Sequence, residues 1–271
     1  METWRSCATC GVENDLDDDL CAICADERQY LPPGGQRWTT SAERAGEGCR
    51  IEIEELEPNL YGLTAHPRAD IGQTALLVRT AGGNLLWDVP GYLDDAAVAA
   101  VGELGGVAAI MASHPHMYGA QLEWARAFGA TVWISQRDRE WVRRQGPELR
   151  SWSEPFEVLP GIHASQPGGH FPGSAVALWT AGAEGRGVLL SGDTIAAVPA
   201  EGWVSFQRSY PNKIPLSAAV VRRVAAAATA LSFDRLYDNF QGVVPADANA
   251  AVRRSAERYI SWVNGEHDSE T

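Results

Sequence analysis

Val107-Ala108-Ala109-Ile110-Met111-Ala112-Ser113-His114-Pro115-His116-Met117-Tyr118-Gly119 decides how the whole chain is read. A short apolar run has the length of a buried strand, and it ends in two histidines one residue apart. Placed at a strand end, His114 and His116 can aim two imidazoles at one centre, and imidazole is the commonest protein ligand for zinc. On its own the pair is equally compatible with a solvated polar loop. Two further pieces favour a metal: His170 in Gly168-Gly169-His170-Phe171-Pro172-Gly173-Ser174, and Asp193 in Ser191-Gly192-Asp193-Thr194. Each follows its own apolar run, and together the four residues make a set of three histidines and an aspartate.

Strand and helix patterns alternate on both sides of that stretch. Thr74 to Thr80 and Asn84 to Asp88 are apolar runs joined by Ala81-Gly82-Gly83, a hairpin signal. Asp94-Asp95 caps a helix running to Gly105-Gly106. A helix is expected from Tyr118 to Phe128, a strand from Thr131 to Ser135 and a short helix from Glu140 to Arg144. Ala175 to Thr180 and Gly187 to Leu190 form a second hairpin. Val220, Val221, Val224, Ala228 and Leu231 share one helical face, Phe233 to Tyr237 is a last strand, and Asp247 to Val263 a last helix. Ile51 to Glu57 suits a helix or an edge strand equally. Two sets of strands, each backed by helices, predict an α/β sandwich with two sheets inside and helices outside.

The 271 residues exceed one average domain, at about 150 residues each, and fall short of two. Apolar residues make up 45% and charged residues 21%, enough apolar material for a core. A net charge of −13 opposes broad nucleic-acid binding, which needs a basic surface, and suits an enzyme acting on a small molecule. No run of about 18 apolar residues predicts a membrane span. Met1 to Ser6 lacks the apolar core of a secretory signal, so the expected location is the cytoplasm. Nothing in the sequence indicates an oligomeric state.

Four of the five cysteines lie in residues 1–30: Cys7-x2-Cys10, ten residues, then Cys21-x2-Cys24. Paired knuckles of this spacing put four thiolates at tetrahedral corners, as in a structural zinc site. The acidic segment between them has too little apolar surface to fold unaided, and a structural zinc contributes on the order of 10 kcal/mol of folding free energy. Disulfides and a rubredoxin-like iron are the alternatives; the first suit a cytoplasmic chain poorly, and the knuckles sit closer together than in rubredoxins. Pro32-Pro33-Gly34-Gly35 opens a linker over 31–57, the main domain is expected over 58–264, and 265–271 is a polar tail.

Taken together, four motifs resemble those of the metallo-β-lactamase-fold superfamily over roughly residues 70 to 260. Leu85-Leu86-Trp87-Asp88 resembles its hydrophobic-Asp strand end, and His114-Pro115-His116 the first half of His-x-His-x-Asp-His. Gly169-His170-Phe171-Pro172-Gly173-Ser174 is close to its Gly-His-Thr-Pro-Gly-Ser turn, and Leu189-Leu190-Ser191-Gly192-Asp193-Thr194 to its Gly-Asp strand end. The resemblance implies an αββα sandwich in which His114, His116 and His170 bind the first metal. Asp193 stands where the superfamily has its metal-bridging carboxylate, and Asp88 orients a ligand from behind. The sequence departs from the pattern at Tyr118 and Gly119, which replace the following Asp and His. Asn239 lies in the region of the last ligand, Tyr237-Asp238-Asn239-Phe240-Gln241-Gly242, which has no histidine. One metal is therefore expected, zinc or iron, with Asn239 behind it.

Three imidazoles on zinc leave a position for water, whose pKa falls to about 7. The reading that follows is a mononuclear hydrolase of a small-molecule ester, thioester or lactone. Asp193 serves as general base or fourth ligand, and Tyr118 as a donor to the oxyanion or as packing. Tyr210, Asn212 and Lys213, between two prolines, form a substrate-binding lip or a generic loop. An iron oxidoreductase on the same ligands and a non-catalytic metal-binding scaffold are the competing readings. His66, His163 and His267 are expected to be solvated or satisfied, while Trp87 and Trp203 are candidates for the cleft wall.

Overall fold

The computed structural model describes residues 4–271; Met1 to Thr3, the start of the cysteine segment, lie outside the described residues. Two large sheets face each other. The first has seven strands in the order 149–152, 131–135, 109–111, 85–87, 74–78, 60–66 and 50–57. The second has six, in the order 156–159, 162–165, 176–179, 188–190, 235–237 and 243–244.

Strands 74–78, 85–87 and 109–111 are buried throughout. Both of their faces are covered, which is why they read as unbroken apolar runs. Between the sheets lie Leu76, Trp87, Met111, Ala177, Trp179 and Leu190. Helices 95–103 and 121–128 cover the outer face of the seven-stranded sheet; Val101, Leu122, Trp124 and Ala125 pack there against Leu77 and Leu86. Helices 218–229 and 248–263 cover the other sheet through Val221, Val224, Ala228, Val252 and Ala256. The layers are helix, sheet, sheet, helix.

Residues 31–57, expected to be a linker, carry structure of their own. They hold helix Ser41–Gly46, closed by a reciprocal capping box between Thr40 and Glu43, and the edge strand Arg50–Glu57. The ambiguity over 51–57 resolves as strand, with Glu52, Glu54 and Glu55 outward in the position that blunts an exposed edge, while Glu57 turns in to pair with Arg235. The helix expected from Tyr118 begins at Gln121, after a 3₁₀ turn over Pro115–Met117. The one expected at Glu140–Arg144 is a 3₁₀ turn over Gln136–Trp141.

The cysteine segment is not a separate bead. Strand 4–7 pairs with 13–15 and 38–39, and Cys7, Cys10, Val12 and Ile23 share one core with Leu63, Leu77 and Leu86 of the large sheet. Glu13 locks the junction. Its amide donates to the Gly119 carbonyl at 3.0 Å, while its carboxylate accepts from the Leu122 amide at 2.8 Å and pairs with Arg144 at 2.6 Å.

Candidate metal centre

Parallel pairing aligns the strand ends that carry the polar residues. Strand 85–87 pairs with 109–111, placing Trp87 beside Met111, and strand 188–190 pairs with 235–237, placing Leu190 beside Tyr237. Asp88, the loop 113–117, Asp193 and Asp238-Asn239 therefore emerge along one rim of the sandwich, where ligands of open α/β sheets are found. The loop joining strands 162–165 and 176–179 brings His170 to the same rim. A bond from the Ala175 amide to the Ser113 carbonyl, at 2.8 Å, ties the two sheets there.

His114, His116, His170 and Asp193 converge, with one donor atom from each lying within 4.8 Å of the others. His116 Nδ1 is 3.3 Å from His170 Nε2. Asp193 Oδ2 is 3.5 Å from His114 Nε2 and 3.7 Å from His170 Nε2. Ligands at the bond lengths of zinc stand roughly 3.3–3.5 Å apart at tetrahedral corners, so these separations fit one ion. All four residues are buried, and His114 Nε2 has no hydrogen-bond partner. A buried nitrogen left in that state is costly unless something binds it.

The tautomers agree. His170 Nδ1 donates to the Gln207 carbonyl at 3.0 Å, which leaves its Nε2 lone pair free. Ser113 Oγ lies 3.2 Å from Asp88 Oδ2 and 2.8 Å from His114 Nδ1. A serine donating to Asp88 accepts from His114 Nδ1–H, freeing His114 Nε2. Asp88 thus orients its histidine through Ser113, a relay that the resemblance did not convey. Burial pushes the Asp88 carboxyl up to about 7, against the pull of His114 and the Ser113 bonds. Burial also holds His116 well below an ordinary histidine and brings His170 to about 4, keeping these two imidazoles neutral, as metal ligation requires. Asp193 goes the other way. Burial would raise it, but His114, His170 and Asn239 together bring it below the usual carboxylate value.

Asn239 is 1% exposed, and neither of its amide atoms makes a full hydrogen bond. Tyr118 does not serve the site, because its hydroxyl donates to the Asp138 carbonyl at 3.3 Å and its ring packs in the outer core. Gly119 has φ +49, and a Cβ there would run into the Val89 carbonyl oxygen. No histidine fits at that position. Tyr210 lines the cleft beside Asp193, its hydroxyl donating to the Ser205 carbonyl at 3.1 Å. Lys213 borders a groove of about 560 Å³ that also reaches Asp193. Asn212 instead clamps the chain after the cysteines, donating to the carbonyls of Glu27 and Gln29 at 2.9 Å each. Trp87 is core, and Trp203 lies under Arg258. A larger cavity of about 820 Å³ is lined by hairpin turns at the opposite strand ends and contains no imidazole or thiol.

The four cysteines form a second cluster. Cys7 Sγ is 3.7 Å from Cys24 Sγ, and Cys10 Sγ is 3.7 Å from Cys21 Sγ. That is far beyond a disulfide at about 2.05 Å and close to the roughly 3.8 Å edge of a zinc–thiolate tetrahedron. Gln36 Nε2 donates to Cys7 Sγ at 3.3 Å.

The sandwich and its rim define a metallo-β-lactamase-fold protein. The chain is similar in structure to the DIM-1 metallo-β-lactamase, with TM-score 0.58 and 14% identity over 79% of this chain and 98% of that one. It also resembles a B3 metallo-β-lactamase with an active-site glutamic acid, with TM-score 0.53 and 20% identity over 85% of this chain and 96% of that one. Another such structure is SMB-1 in complex with mercaptoacetic acid, with TM-score 0.52 and 17% identity over 78% of this chain and 96% of that one. No family model matches the sequence. YmaE of Bacillus subtilis strain 168, described as uncharacterised, is 45% identical over 265 residues, spanning 96% of this chain and 97% of its own length. The chain belongs to the same family as YmaE.

Proposed function

We propose that this protein is a mononuclear metal-dependent hydrolase of a small-molecule ester, thioester or lactone. The observation that carries the proposal is the set of His114, His116, His170 and Asp193, spaced for one ion, with Asp193 lining a cleft. An ion held there polarises a carbonyl and lowers the pKa of water to near neutrality. The residues around it position and exchange protons. Asp193 faces the cleft and serves as the fourth ligand through Oδ2 or accepts a proton from the attacking water. Asp88 and Ser113 hold His114 in one orientation, and the Gln207 carbonyl does the same for His170. Tyr210 and Phe240 give the cleft aromatic walls.

A single ion is supported by the second half of the motif. Tyr118 is committed to Asp138, Gly119 has no room for a side chain, and Asn239 replaces the last histidine. No helix among the described residues is long and apolar enough to cross a membrane.

The test is element analysis of wild type beside His114→Ala, together with hydrolysis of p-nitrophenyl esters, acyl thioesters and lactones. Two metals per wild-type chain, one in the variant, and turnover only in wild type are expected. One metal in both, or turnover that survives the substitution, defeats the reading.

A further inference from the structure

The segment immediately after the second cysteine knuckle reaches the metal centre. Gln29 Nε2 lies 3.4 Å from His116 Nδ1, the nitrogen that also faces His170 Nε2. That spacing is the same as the separations among the ligand atoms themselves. The segment is fastened on both sides. Arg28 Nε donates to the His170 carbonyl at 2.8 Å, and its guanidinium stacks 4.1 Å over Phe171. Ser209 Oγ donates to the Arg28 carbonyl, and Asn212 to the carbonyls of Glu27 and Gln29, each at 2.9 Å. Arg208 pairs with Glu27 at 2.5 Å. Thr9, Gln29 and Tyr30 then line the cleft of about 370 Å³ opposite Asp193, Tyr210 and Phe240.

We propose that Gln29 belongs to the coordination environment of the histidine-site ion, with its amide oxygen as an additional donor, and that the cysteine module exists in part to place it there. The inference rests on the proposed occupancy of that site. In the loaded site His116 Nδ1 directs its lone pair at the ion and cannot accept a hydrogen bond from Gln29. A half-turn of the amide exchanges its nitrogen for its oxygen, which then stands about 3.4 Å from His116 Nδ1, a spacing that two ligands sharing one ion can have. An amide oxygen is a neutral donor; it adds to three imidazoles and a carboxylate without altering the charge. One wall of the centre therefore comes from the metal-stapled N-terminal segment.

The experiment measures zinc affinity of the histidine site by chelator competition in full-length wild type, Gln29→Ala and Gln29→Glu, after element analysis of each. The expected result is weakening by about tenfold or more in Gln29→Ala, the range seen when groups supporting a metal site are removed. Affinity in Gln29→Glu, whose carboxylate keeps an oxygen in place, should equal or exceed wild type. Both variants should keep the cysteine-site metal, which shows that the module is folded. Affinity of Gln29→Ala within about twofold of wild type overturns the inference and leaves the proposed hydrolase standing. Equal weakening in both variants overturns it too, since the oxygen would then not be what matters. A wild type with metal only in the cysteines overturns the hydrolase reading itself.

Discussion

Two clusters of four donors, built on opposite plans, lie in one molecule. Cys7, Cys10, Cys21 and Cys24 are all sulfur, all buried, and packed into a core that continues into the large sheet. His114, His116, His170 and Asp193 are nitrogen and oxygen, equally buried, yet Asp193 lines the cleft. A closed tetrahedral thiolate site stabilises a fold, whereas an N/O site beside a cavity leaves a position for chemistry. Both clusters are buried, so burial does not separate them; what separates them is that only the histidine cluster opens on a cleft. The two sites are also mechanically joined, because Arg28 and Gln29 run from one to the other.

Cys21→Ser should have the largest effect. A structural zinc held by the four cysteines would contribute on the order of 10 kcal/mol of folding free energy, comparable to the whole stability of a typical domain. Thermal melting and element analysis should show a destabilised chain that has lost metal from both sites, because the 26–29 segment no longer covers the histidines. Retention of the histidine metal would sever the connection. His116→Ala should do the reverse, leaving one metal per chain, a folded protein and turnover at background. If it melts as low as the cysteine variant, the histidines are structural.

Glu13→Ala probes the junction. It strands Arg144 beside the core, where breaking a buried pair costs about 3–5 kcal/mol; the low end is expected, since Arg144 keeps Glu123 at 2.8 Å. Chemical denaturation should register the loss with both metals still bound at low denaturant. Asp88→Asn acts only on the open cluster and should weaken histidine-site affinity by about 10–100-fold, measured by chelator competition. Unchanged affinity would show that Ser113 orients His114 unaided. Tyr118→Phe should be the mildest, costing about 1 kcal/mol for one hydrogen bond with turnover preserved. A loss of activity beyond about tenfold would return Tyr118 to the reaction.

The closed cluster and most of the open one were legible in the sequence, for different reasons. Knuckle spacing is local, so Cys7 to Cys24 announces itself. The His114–His116 pair, His170 and Asp193 are far apart in sequence. The pair follows strand 109–111 and Asp193 follows strand 188–190, both buried throughout and so read as plain apolar runs. His170 follows a strand that alternates and is marked by its Gly-Gly-His-Phe-Pro-Gly-Ser turn. The edge strand 50–57 was ambiguous because only one side of it is covered, and its glutamates obscure the alternation. Ser113, Arg28 and Gln29 left no sequence signal. Their roles depend on partners such as His170 and Asn212, which tertiary packing alone brings close. Tyr118 was misleading for a related reason. It adjoins the ligands in sequence, while the 3₁₀ turn after His114 directs its hydroxyl to Asp138.

The seam between the two regions also sets an order of assembly. The cysteines precede the histidines in the chain and lie within 18 residues of one another, so they can take up metal before the histidines are synthesised. What the module grips comes much later: Leu122 is 109 residues beyond Glu13, His170 is 142 beyond Arg28, and Asn212 is 183 beyond Gln29. Contacts of such long range form late and slowly. The N-terminal segment must therefore wait, already stapled, for the last third of the chain to emerge beneath it. Until Ser209 and Asn212 arrive, the histidine cluster lacks the 27–29 segment that covers it, so it is assembled later than the cysteine cluster.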